Sequence, residues 1–321
     1  MADNTAPRVA VIGAGMAGIA CANRLARLGL AVTIFDKGRS LGGRLATRLS
    51  GAMAFDHGAP VVYAERAPFQ GMLDTLVAAG SATPWPPGVA HSVTGTPAIN
   101  ALLAPLAAGL DVRSATEVTA LVEGDGGWTV AVRDRAPQTG FAAVAVAIPA
   151  AQAATLAGGF LDDQTQADLS HVSYRPCMTM LAAFDARLPI ETGAPPPPGH
   201  DLEAQIRNNA KPGRPDGLDQ WVVHADEAWS RANTETEKDD IAAALLSRFV
   251  AANDLGAVEP VYLRGHRWRY AFTDRPLGRS HVWVAEKALG LAGDWCRGPD
   301  AEHAFESGVA LAEAIGASVK A

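Results

Sequence analysis

Three glycines near the start of the chain have a spacing that suits the binding of a phosphate group. Gly13, Gly15 and Gly18 follow an apolar run, Arg8–Ile12, and open a segment with helical periodicity, Met16–Leu28. The first glycine permits a tight turn, the second lets the backbone approach a pyrophosphate, and the third allows close packing of the helix. A plain strand-to-helix turn would use the same residues, so the glycines alone leave both interpretations open.

An acidic residue further along favours a dinucleotide site. A second predicted strand, Ala31–Phe35, ends at Asp36, which lies 18 residues after Gly18. A carboxylate at this position accepts hydrogen bonds from ribose hydroxyls and disfavours a 2′-phosphate. The first residues of the helix, Met16 and Ala17, offer backbone amides and the positive end of the helix dipole to the pyrophosphate. The pattern predicts a dinucleotide-binding βαβ unit.

A second glycine pair with nearby cations points from NAD toward FAD. Gly42 and Gly43 follow soon after the acid, and Lys37 and Arg44 flank this segment. Glycines admit close approach of the backbone to an anion, and an arginine can pair with a phosphate through two hydrogen bonds. A glycine-rich surface loop with a solvated arginine is the structural alternative. We predict non-covalently bound FAD, with Val118 from a later strand as a further contact.

The end of the chain offers a second candidate anchor for a flavin. Gly293 and Asp294 follow a short predicted strand, Leu289–Ala292, and a predicted helix over 304–317 carries Ser307 in its first turn. The N-terminus of such a helix stabilises negative charge on a reduced flavin, and Asp294 can bind a ribityl hydroxyl. The alternative is a turn followed by a helix that serves only in packing.

A long predicted strand, Pro260–Phe272, carries most of the residues that suit a substrate site. Alternation along this strand places five large polar or aromatic residues on one face: Tyr262, Arg264, His266, Trp268 and Tyr270. His266, Trp268 and Tyr270 are candidate catalytic-site residues, because imidazole and indole rings stack on planar substrates or hydrogen-bond to them. The alternative is a sheet face covered by its neighbour, with the arginines solvated.

Another predicted strand, Asp219–His224, adds His224 to the candidates, ranked below His266. Trp221 has the opposite parity to His224, so the two are not expected on the same face. Hydride transfer to a flavin needs ring orientation and desolvation rather than a protein nucleophile, so no catalytic triad is expected. The eight histidines are scattered without metal-ligand spacing, and no metal is predicted.

The composition argues against several functional classes. A net charge of −7 and a pI near 5.6 disfavour a nucleic-acid partner, because phosphate affinity comes from basic surface. The three cysteines are far apart and no signal peptide is visible, so we expect a cytoplasmic protein. The uncharged stretch 141–161 is broken by Pro149 and is predicted to form strand, turn and helix rather than a membrane span.

The predicted elements give an α/β fold with two domains. A hairpin of Glu117–Val122 and Trp128–Val132, a buried strand at 142–148 and a helix at 235–252 join the elements already named. We predict a Rossmann-type FAD-binding domain with an inserted antiparallel-sheet (α+β) substrate domain. The predicted ranges are 1–62, 95–160 and 283–321 for the first domain, and 63–94 and 161–282 for the second.

Together, these residues resemble the renalase-like branch of the flavin amine oxidase superfamily, in particular its bacterial members. The resemblance extends over nearly the whole chain and includes the glycine motifs already described. Its remaining motifs are Thr47-Arg48, Phe55-Asp56-His57-Gly58-Ala59, Lys211-Pro212, Trp221-Val222-Val223-His224-Ala225, Trp229-Ser230, His266-Arg267-Trp268 with Tyr270, and Gly293-Asp294-Trp295-Cys296.

The resemblance implies an oxidase with isomeric dihydronicotinamide dinucleotides as substrates. Such enzymes take a substrate reduced at carbon 2 or 6, return NAD(P), and pass the electrons to molecular oxygen as hydrogen peroxide. The resemblance also implies that Phe305 faces the flavin, which adds it to the candidate catalytic-site residues. The alternative is an aromatic residue of the core in the first turn of the helix. Five arginines could hold the anionic dinucleotide: Arg264, Arg267, Arg269, Arg275 and Arg279. Two alternatives remain open, namely an amine oxidase or desaturase acting on a small amine, and a flavin-binding sensor or partner subunit without turnover.

Two segments depart from the pattern of this family. Pro60, Val61 and Val62 stand where a glutamine and aromatic residues typically follow the Phe55–Ala59 motif, and the segment 69–95 is shorter than usual. Both departures are expected to affect the substrate pocket more than the cofactor site.

Overall fold

The structure, a computed structural model, describes residues 6–319, and these form two compact units. The first unit comprises residues 6–43, Leu103–Ser173 and 273–319, and the second comprises Arg44–Leu102 and Tyr174–Phe272. The α/β fold class is confirmed, with a Rossmann-type parallel sheet in one unit and separate antiparallel sheets elsewhere.

The strands, in chain order, are β1 (Arg8–Ile12), β2 (Ala31–Phe35), β3 (Thr47–Ser50), β4 (Met53–Asp56), β5 (Val62–Tyr63), β6 (Ala82–Pro84), β7 (Ser92–Gly95), β8 (Asp111–Arg113), β9 (Val118–Gly124), β10 (Gly127–Val132), β11 (Gln138–Phe141), β12 (Ala143–Val146), β13 (Ser173–Phe184), β14 (Leu202–Arg207), β15 (Asp219–Ala225), β16 (Tyr262–Arg275), β17 (Val282–Val284) and β18 (Leu289–Leu291). The helices are α1 (Met16–Arg27), α2 (Ala67–Ala78), α3 (Ala104–Ala107), α4 (Ala150–Ala157), α5 (Asp163–Ser170), α6 (Glu227–Ala232), α7 (Lys238–Ala252) and α8 (Ala301–Val319).

The first unit is built on a six-stranded sheet with the order β17-β18-β12-β1-β2-β8. Every pair is parallel except the edge pair of β17 and β18. Val9–Ile12 of β1 is buried throughout, as expected for a central parallel strand. The predicted bounds of β1 and β2 are confirmed, and the predicted hairpin appears as the antiparallel pair β9 and β10.

Helices α1 and α8 pack closely against each other in the first unit. A Cβ atom on Gly308 would lie 2.1 Å from the carbonyl oxygen of Ala17, so only glycine lets the two backbones approach this far. Leu25 of α1 and Leu311 of α8 are fully buried. The last helix of the chain therefore completes the core around the first one.

The second unit contains the four-stranded sheet β14-β15-β13-β16 together with two smaller sheets. Along β15, Trp221 and Val223 enter one hydrophobic cluster with Phe249 of α7, whereas Val222 enters another with Phe55. Neighbouring residues of this strand thus point to opposite faces. The predicted opposite parity of Trp221 and His224 is consistent with this alternation.

The boundaries of the two units differ from the predicted domain boundaries. Residues 44–62 and 95–102 belong to the second unit, because Asp56 and the backbone of Ile99 are tied into its interior. Residues 161–173 and 273–282 belong to the first unit, in which Thr273 bonds to Asp294 and Val282 pairs with Leu291. The sequence alone does not show these long-range bonds, so the predicted boundaries differ from those of the two units.

The uncharged stretch 141–161 forms the end of β11, the buried strand β12 and helix α4, as predicted. Across residues 6–319, no helix combines the length and the apolarity that a membrane crossing requires.

Candidate cofactor and substrate sites

The glycine turn between β1 and α1 has a conformation that other residues would disturb. Gly13 has φ +107°, and its amide donates to the carbonyl oxygen of Phe35, 2.8 Å away. A Cβ atom on Gly18 would lie 1.9 Å from the carbonyl oxygen of Gly13. Both glycines are therefore required by the protein itself, for the turn and for the packing of α1 on it.

Gly15 is different, because the protein leaves space beside it. The nearest atoms to a Cβ at this position are the carbonyl oxygen of Gly42 and the Cα of Gly43, both 3.9 Å away. Gly15 is the N-cap of α1, and the first turn carries no acidic residue. The open space and the free amides of Met16 and Ala17 are what a pyrophosphate needs at a helix N-terminus.

The second glycine pair lies directly against the first turn. The amide of Gly42 donates to the carbonyl oxygen of Ala14 at 3.0 Å, and Gly42 forms an isolated bridge with Gly15. Gly42 and Gly43 have φ values of +132° and +59°, in the range that favours glycine. Two glycine segments that are distant in sequence thus form one continuous cradle of backbone.

Asp36 lies at the end of β2 and already holds this cradle together. Its carboxylate accepts hydrogen bonds from the amides of Ala14 and Gly38, each at 2.6 Å. Each carboxylate oxygen can accept a further bond, so ribose hydroxyls remain suitable partners. The carbonyl oxygen of Asp36 accepts from Thr116, which brings the start of β9, and with it Val118, beside the same loop.

Lys37 is exposed and donates to Gln152 at 3.2 Å, so it lies next to the predicted cofactor loop without pointing into the cradle. Arg44 is the first residue of the second unit, where its guanidinium donates to the carbonyl oxygen of Ala271 at 3.0 Å. A phosphate contact of Arg44 stays a prediction.

The C-terminal anchor is well ordered by internal hydrogen bonds. The amide of Gly293 donates to the hydroxyl of Ser307 at 3.0 Å, and Thr273 donates to the carboxylate of Asp294 at 2.8 Å. A Cβ atom on Gly293 would lie 2.2 Å from the indole nitrogen of Trp295. This glycine therefore lets the chain pass under the indole, and the turn brings Asp294 and Ser307 close together.

The start of the last helix was predicted wrongly. α8 begins at Ala301, and Asp300 caps it by accepting a hydrogen bond from the amide of His303 at 2.9 Å. Phe305 and Ser307 consequently lie beyond the first turn of the helix. A carboxylate already occupies the helix N-terminus, so this terminus is less suited to stabilise a flavin anion than the sequence indicated.

Two features of the first unit fit a bound FAD, namely the glycine turn before α1 and the carboxylate of Asp36. The space beside Gly15 and the uncapped start of α1 suit the pyrophosphate, and Asp36 suits the adenosine ribose. The residues that would hold the cofactor are the backbone of Gly13, Gly15, Met16, Ala17, Gly18 and Gly43, and the side chains of Asp36, Asp294 and Ser307.

In the second unit, the hairpin of β3 and β4 presents two different faces. Thr47 pairs with Asp56 in the ladder, and Arg48 pairs with Phe55. Side chains of directly paired residues point to the same side of a sheet, and neighbours along a strand point to opposite sides. We call the two sides the ion face and the ring face. The ion face consists of Thr47, Asp56, Lys211 and Arg214, and the ring face consists of Arg48, Phe55, His57, Tyr262, His266 and Trp268.

The ring face contains two groups of contacting rings, one of Phe55 and Tyr262 and the other of His57, His266 and Trp268. Tyr262 stacks on Phe55 with ring centroids 5.1 Å apart. The ring of His57 lies 4.7 Å from that of His266 and 5.3 Å from that of Trp268, and His266 and Trp268 are 4.3 Å apart. The predicted shared face of Tyr262, His266 and Trp268 is confirmed by these contacts.

The ion face holds one carboxylate against two cations in a buried position. Asp56 accepts hydrogen bonds from Lys211 and Arg214, and all three side chains are inaccessible to solvent. Its carboxylate also accepts from Thr47 at 2.8 Å and from the amide of Ile99 at 3.0 Å. Burial alone would raise the pKa of Asp56, but the charges of Lys211 and Arg214 outweigh it and hold the pKa below its usual value.

The histidines near these faces are neutral at pH 7. Burial and the positive charge of Arg48 lower the pKa of His57 to about 4. Burial, together with His57 and Lys211, lowers the pKa of His224 to about 4, and burial with His57 and Arg48 lowers that of His266 to about 3. Burial also lowers the pKa of Lys211 to about 8. The surroundings are therefore electropositive and contain uncharged imidazoles.

Two further predicted site residues, Tyr270 and His224, lie in the second unit. Tyr270 contacts Tyr174, with ring centroids 5.1 Å apart, and no ring contact joins it to the ring face among the described residues. His224 is buried, and its Nε2 has no hydrogen-bond partner in the described part of the chain. Within residues 6–319, no group of three His, Cys, Asp or Glu side chains could hold a metal ion.

The arginines expected to hold a dinucleotide have different local partners. Arg267 and Arg269 lie on the opposite side of β16 from His266 and bond to the loop before α7, at the carbonyl oxygen of Thr236 and the carboxylate of Glu235. Arg264 lies over Tyr262, while Arg279 forms an ion pair with Asp168 in the first unit. Alternation along β16 places Arg264 on one side of the strand and Arg267 and Arg269 on the other, so these three do not form one cluster. A contact of these arginines with a dinucleotide stays a prediction.

Among the residues of these faces that were not predicted from the sequence are four charged or imidazole side chains: Arg48, Asp56, His57 and Lys211. All four belong to the motifs that carry the resemblance, which was the available signal. Their spacing gave no hint of chemistry, because Lys211 lies 155 positions from its partner Asp56.

Comparison with known proteins identifies a Rossmann-like segment near the start of the chain. Residues 11–76 match the family described as NAD(P)-binding Rossmann-like domain. The curated relatives include the 4,4′-diapophytoene desaturase (4,4′-diaponeurosporene-forming) of Staphylococcus haemolyticus, which is 44% identical over 54 residues. That match covers 17% of this chain and 11% of the desaturase, so the chain aligns with only about a ninth of these relatives' length.

Solved structures share the fold over nearly the whole chain. A putative protoporphyrinogen oxidase from Exiguobacterium sp. 255-15 matches with a TM-score of 0.72 at 14% identity, covering 98% of this chain and 99% of that one. Cyclohexylamine oxidase from Brevibacterium oxydans IH-35A matches with a TM-score of 0.71 at 14% identity, covering 98% and 100%. At this level of identity the likeness establishes the fold alone.

Proposed function

We propose that the chain is an FAD-dependent oxidase that converts isomeric dihydronicotinamide dinucleotides, 2- or 6-dihydro-NAD(P), to NAD(P). The backbone cradle and Asp36 of the first unit support the choice of a bound dinucleotide cofactor. The fold shared with oxidases and the renalase-like motifs support an oxidation. The observation that carries the choice of substrate is the ring face, in which an indole and two neutral imidazoles lie beside Arg48.

The charges around the ring face favour a flat, uncharged ring that is attached to an anion. A protonated amine would need a carboxylate nearby, and the acid of this region, Asp56, is already shared by Lys211 and Arg214. An ammonium group would therefore meet net positive charge. This electrostatic situation favours a dihydronicotinamide nucleotide over a small amine.

The protein's contribution to the reaction is orientation and electrostatic tuning. When bound, FAD accepts a hydride, and the overall reaction converts dihydronicotinamide, oxygen and one proton to NAD(P) and hydrogen peroxide. Trp268 offers an aromatic face that stabilises the positive charge developing on the nicotinamide ring. The substrate loses no proton, so neutral His57 and His266 can position the ring without acting as bases.

The three cysteines support a cytoplasmic location as part of this proposal. Cys21, Cys177 and Cys296 are buried free thiols, which is typical of proteins in a reducing compartment.

The proposal is tested by anaerobic mixing of the FAD-loaded protein with each reduced nicotinamide isomer. We expect 2- or 6-dihydro-NAD to bleach the flavin absorbance at least about tenfold faster than ordinary NADH, putrescine or cyclohexylamine, a difference of about 1.4 kcal/mol in activation free energy. Recovered NAD should match the reduced flavin, and peroxide should appear when oxygen is admitted. Faster bleaching by an amine would replace the proposal with an amine oxidase, and bleaching by none of these compounds would favour a sensor or partner subunit.

A further inference from the structure

The partly buried side chain of Arg48 forms no hydrogen bond or ion pair with any residue of the described part of the chain. Four other arginines of the second unit are engaged by acids: Arg207 by Asp219, Arg214 by Asp56, Arg248 by Asp201 and Arg269 by Glu235. An arginine that is withdrawn from water without an acceptor loses hydration and gains no partner in return. Such an arrangement is typical of a residue whose partner is a ligand.

The register of the β3–β4 hairpin fixes the side on which Arg48 lies. Arg48 is paired with Phe55, so its side chain shares the ring face with Phe55 and His57. Its charge acts on His57 and His266 strongly enough to contribute to their low pKa values. The guanidinium therefore lies near the imidazoles that contact Trp268.

The position of the ring face is held by bonds on both sides of β4. Trp268 donates through its indole nitrogen to the carbonyl oxygen of His57 at 2.9 Å. The amide of His57 donates to the carbonyl oxygen of Ala46 at 3.0 Å, two residues before Arg48. The backbone that carries Arg48 is thus tied to the residues that carry the rings, which limits how far its base can move.

We propose that Arg48 binds the phosphate on the ribose next to the substrate's dihydronicotinamide ring, while Trp268 and His266 contact the ring itself. This inference rests on the proposed function and deepens it, because it makes a nucleotide phosphate the specificity determinant. A phosphate lies one ribose away from the ring, a separation that a long arginine side chain can bridge. The planar guanidinium can form two parallel hydrogen bonds to phosphate oxygens, which lysine cannot reproduce.

The test compares three substrates that differ only beyond the ring: the riboside, the mononucleotide and the dinucleotide of 6-dihydronicotinamide. In the unaltered protein, kcat/KM for flavin reduction should be similar for the mononucleotide and the dinucleotide, and about 10- to 100-fold lower for the riboside, as expected for charged hydrogen bonds. Arg48→Met should bring the ratio of mononucleotide to riboside close to one, and Arg48→Lys should restore part of it. Arg269→Met, on the opposite side of β16, should keep the full ratio.

A binding measurement makes the result independent of turnover. Oxidised nicotinamide mononucleotide should bind to the FAD-loaded protein about 10- to 100-fold more weakly in Arg48→Met than in Arg269→Met by titration calorimetry. Equal kcat/KM for riboside and mononucleotide in the unaltered protein would overturn the inference while leaving the proposed function intact. Loss of FAD from Arg48→Met with unchanged substrate preference would also overturn it. If no isomer reduces the flavin, the proposed function is wrong. The binding of a nucleotide phosphate by Arg48 is then tested by the calorimetric comparison alone.

Discussion

Trp268 and His57 are joined twice, once through the backbone and once through their rings. The indole nitrogen of Trp268 donates to the carbonyl oxygen of His57 at 2.9 Å, and the two rings stack with centroids 5.3 Å apart. The hydrogen bond satisfies the polar atom of the indole, so the ring itself offers apolar contact surface, part of which His57 covers. Because His57 follows Asp56, this pairing also connects the ring face to the buried ions on the other side of the hairpin.

Gly15→Ala should prevent FAD binding without unfolding the protein. The nearest protein atoms to the added methyl group are 3.9 Å away, so it would occupy the space intended for the pyrophosphate. Gly18→Ala is the matched comparison, since its methyl group would lie 1.9 Å from a carbonyl oxygen. We expect Gly15→Ala to keep the melting temperature of the apoprotein within a few degrees while losing flavin absorbance, and Gly18→Ala to melt at a lower temperature. A full complement of FAD in Gly15→Ala would contradict the assigned role.

Asp36→Ala should weaken FAD retention. The substitution removes the acceptor for the ribose hydroxyls and for the amides of Ala14 and Gly38. A loss of roughly 1.5 to 3 kcal/mol is expected for hydrogen bonds to a charged group, which corresponds to about 10- to 100-fold weaker binding. Equilibrium dialysis measures the affinity for FAD. Asp125→Ala in the β9–β10 turn serves as a surface control. Equal retention of FAD in the two variants would contradict the role of Asp36 in binding the cofactor.

Asp56→Asn should destabilise the second unit strongly. The substitution leaves Lys211 and Arg214 buried without a counter-charge, and breaking a buried ion pair in this way costs about 3 to 5 kcal/mol. The double variant Asp56→Asn with Lys211→Met should lose less than the sum of the two single changes, because one buried cation is removed with the acid. Unfolding in urea measures the free energy of unfolding of each variant. Asp201→Asn, which breaks the more exposed pair with Arg248, should change stability by less than about 1 kcal/mol.

The buried His224 should make the protein less stable as the pH falls from about 7 to 4. Its pKa is about 4 in the folded chain and 6.5 in the unfolded reference. The unfolded state therefore takes up a proton over this range while the folded state does not, so its contribution to stability is present above pH 6.5 and declines below it. His224→Gln should flatten the decline of the unfolding free energy, by the order of 1 to 3 kcal/mol at pH 4. The exposed His171→Gln is the control, and equal slopes for both variants would contradict the assignment.

The local elements were predictable from the sequence, because their determinants are local. Apolar runs bounded by glycines gave β1, α1 and β2, and simple alternation placed His266 and Trp268 on one side of β16. The predicted start of α8 lies three residues too late, because the apolar pattern alone does not reveal the cap at Asp300. A single capping hydrogen bond thus decided where Phe305 and Ser307 lie along the helix.

Relationships across the chain were not predictable from the sequence. Nothing local distinguishes Lys211, in a proline-rich loop, from a solvated lysine, yet it is buried against Asp56. The arginines of β16 looked like a cluster because they are close in sequence, but alternation and local partners such as Glu235 separate them. Conversely, Arg48 looked ordinary, and only the hairpin register and its lack of a described partner distinguish it.

The contact of α8 with α1 has a consequence for the folding of the first unit. Ala17 and Gly308, whose backbones meet in this contact, lie near opposite ends of the described residues. Contacts between residues so far apart in sequence form later than local contacts, because a long loop must first be closed. The second unit has its residues between those of the two helices and does not need α8 for its core. Pulsed hydrogen exchange during refolding should therefore show protection of the second unit before protection of the glycine turn.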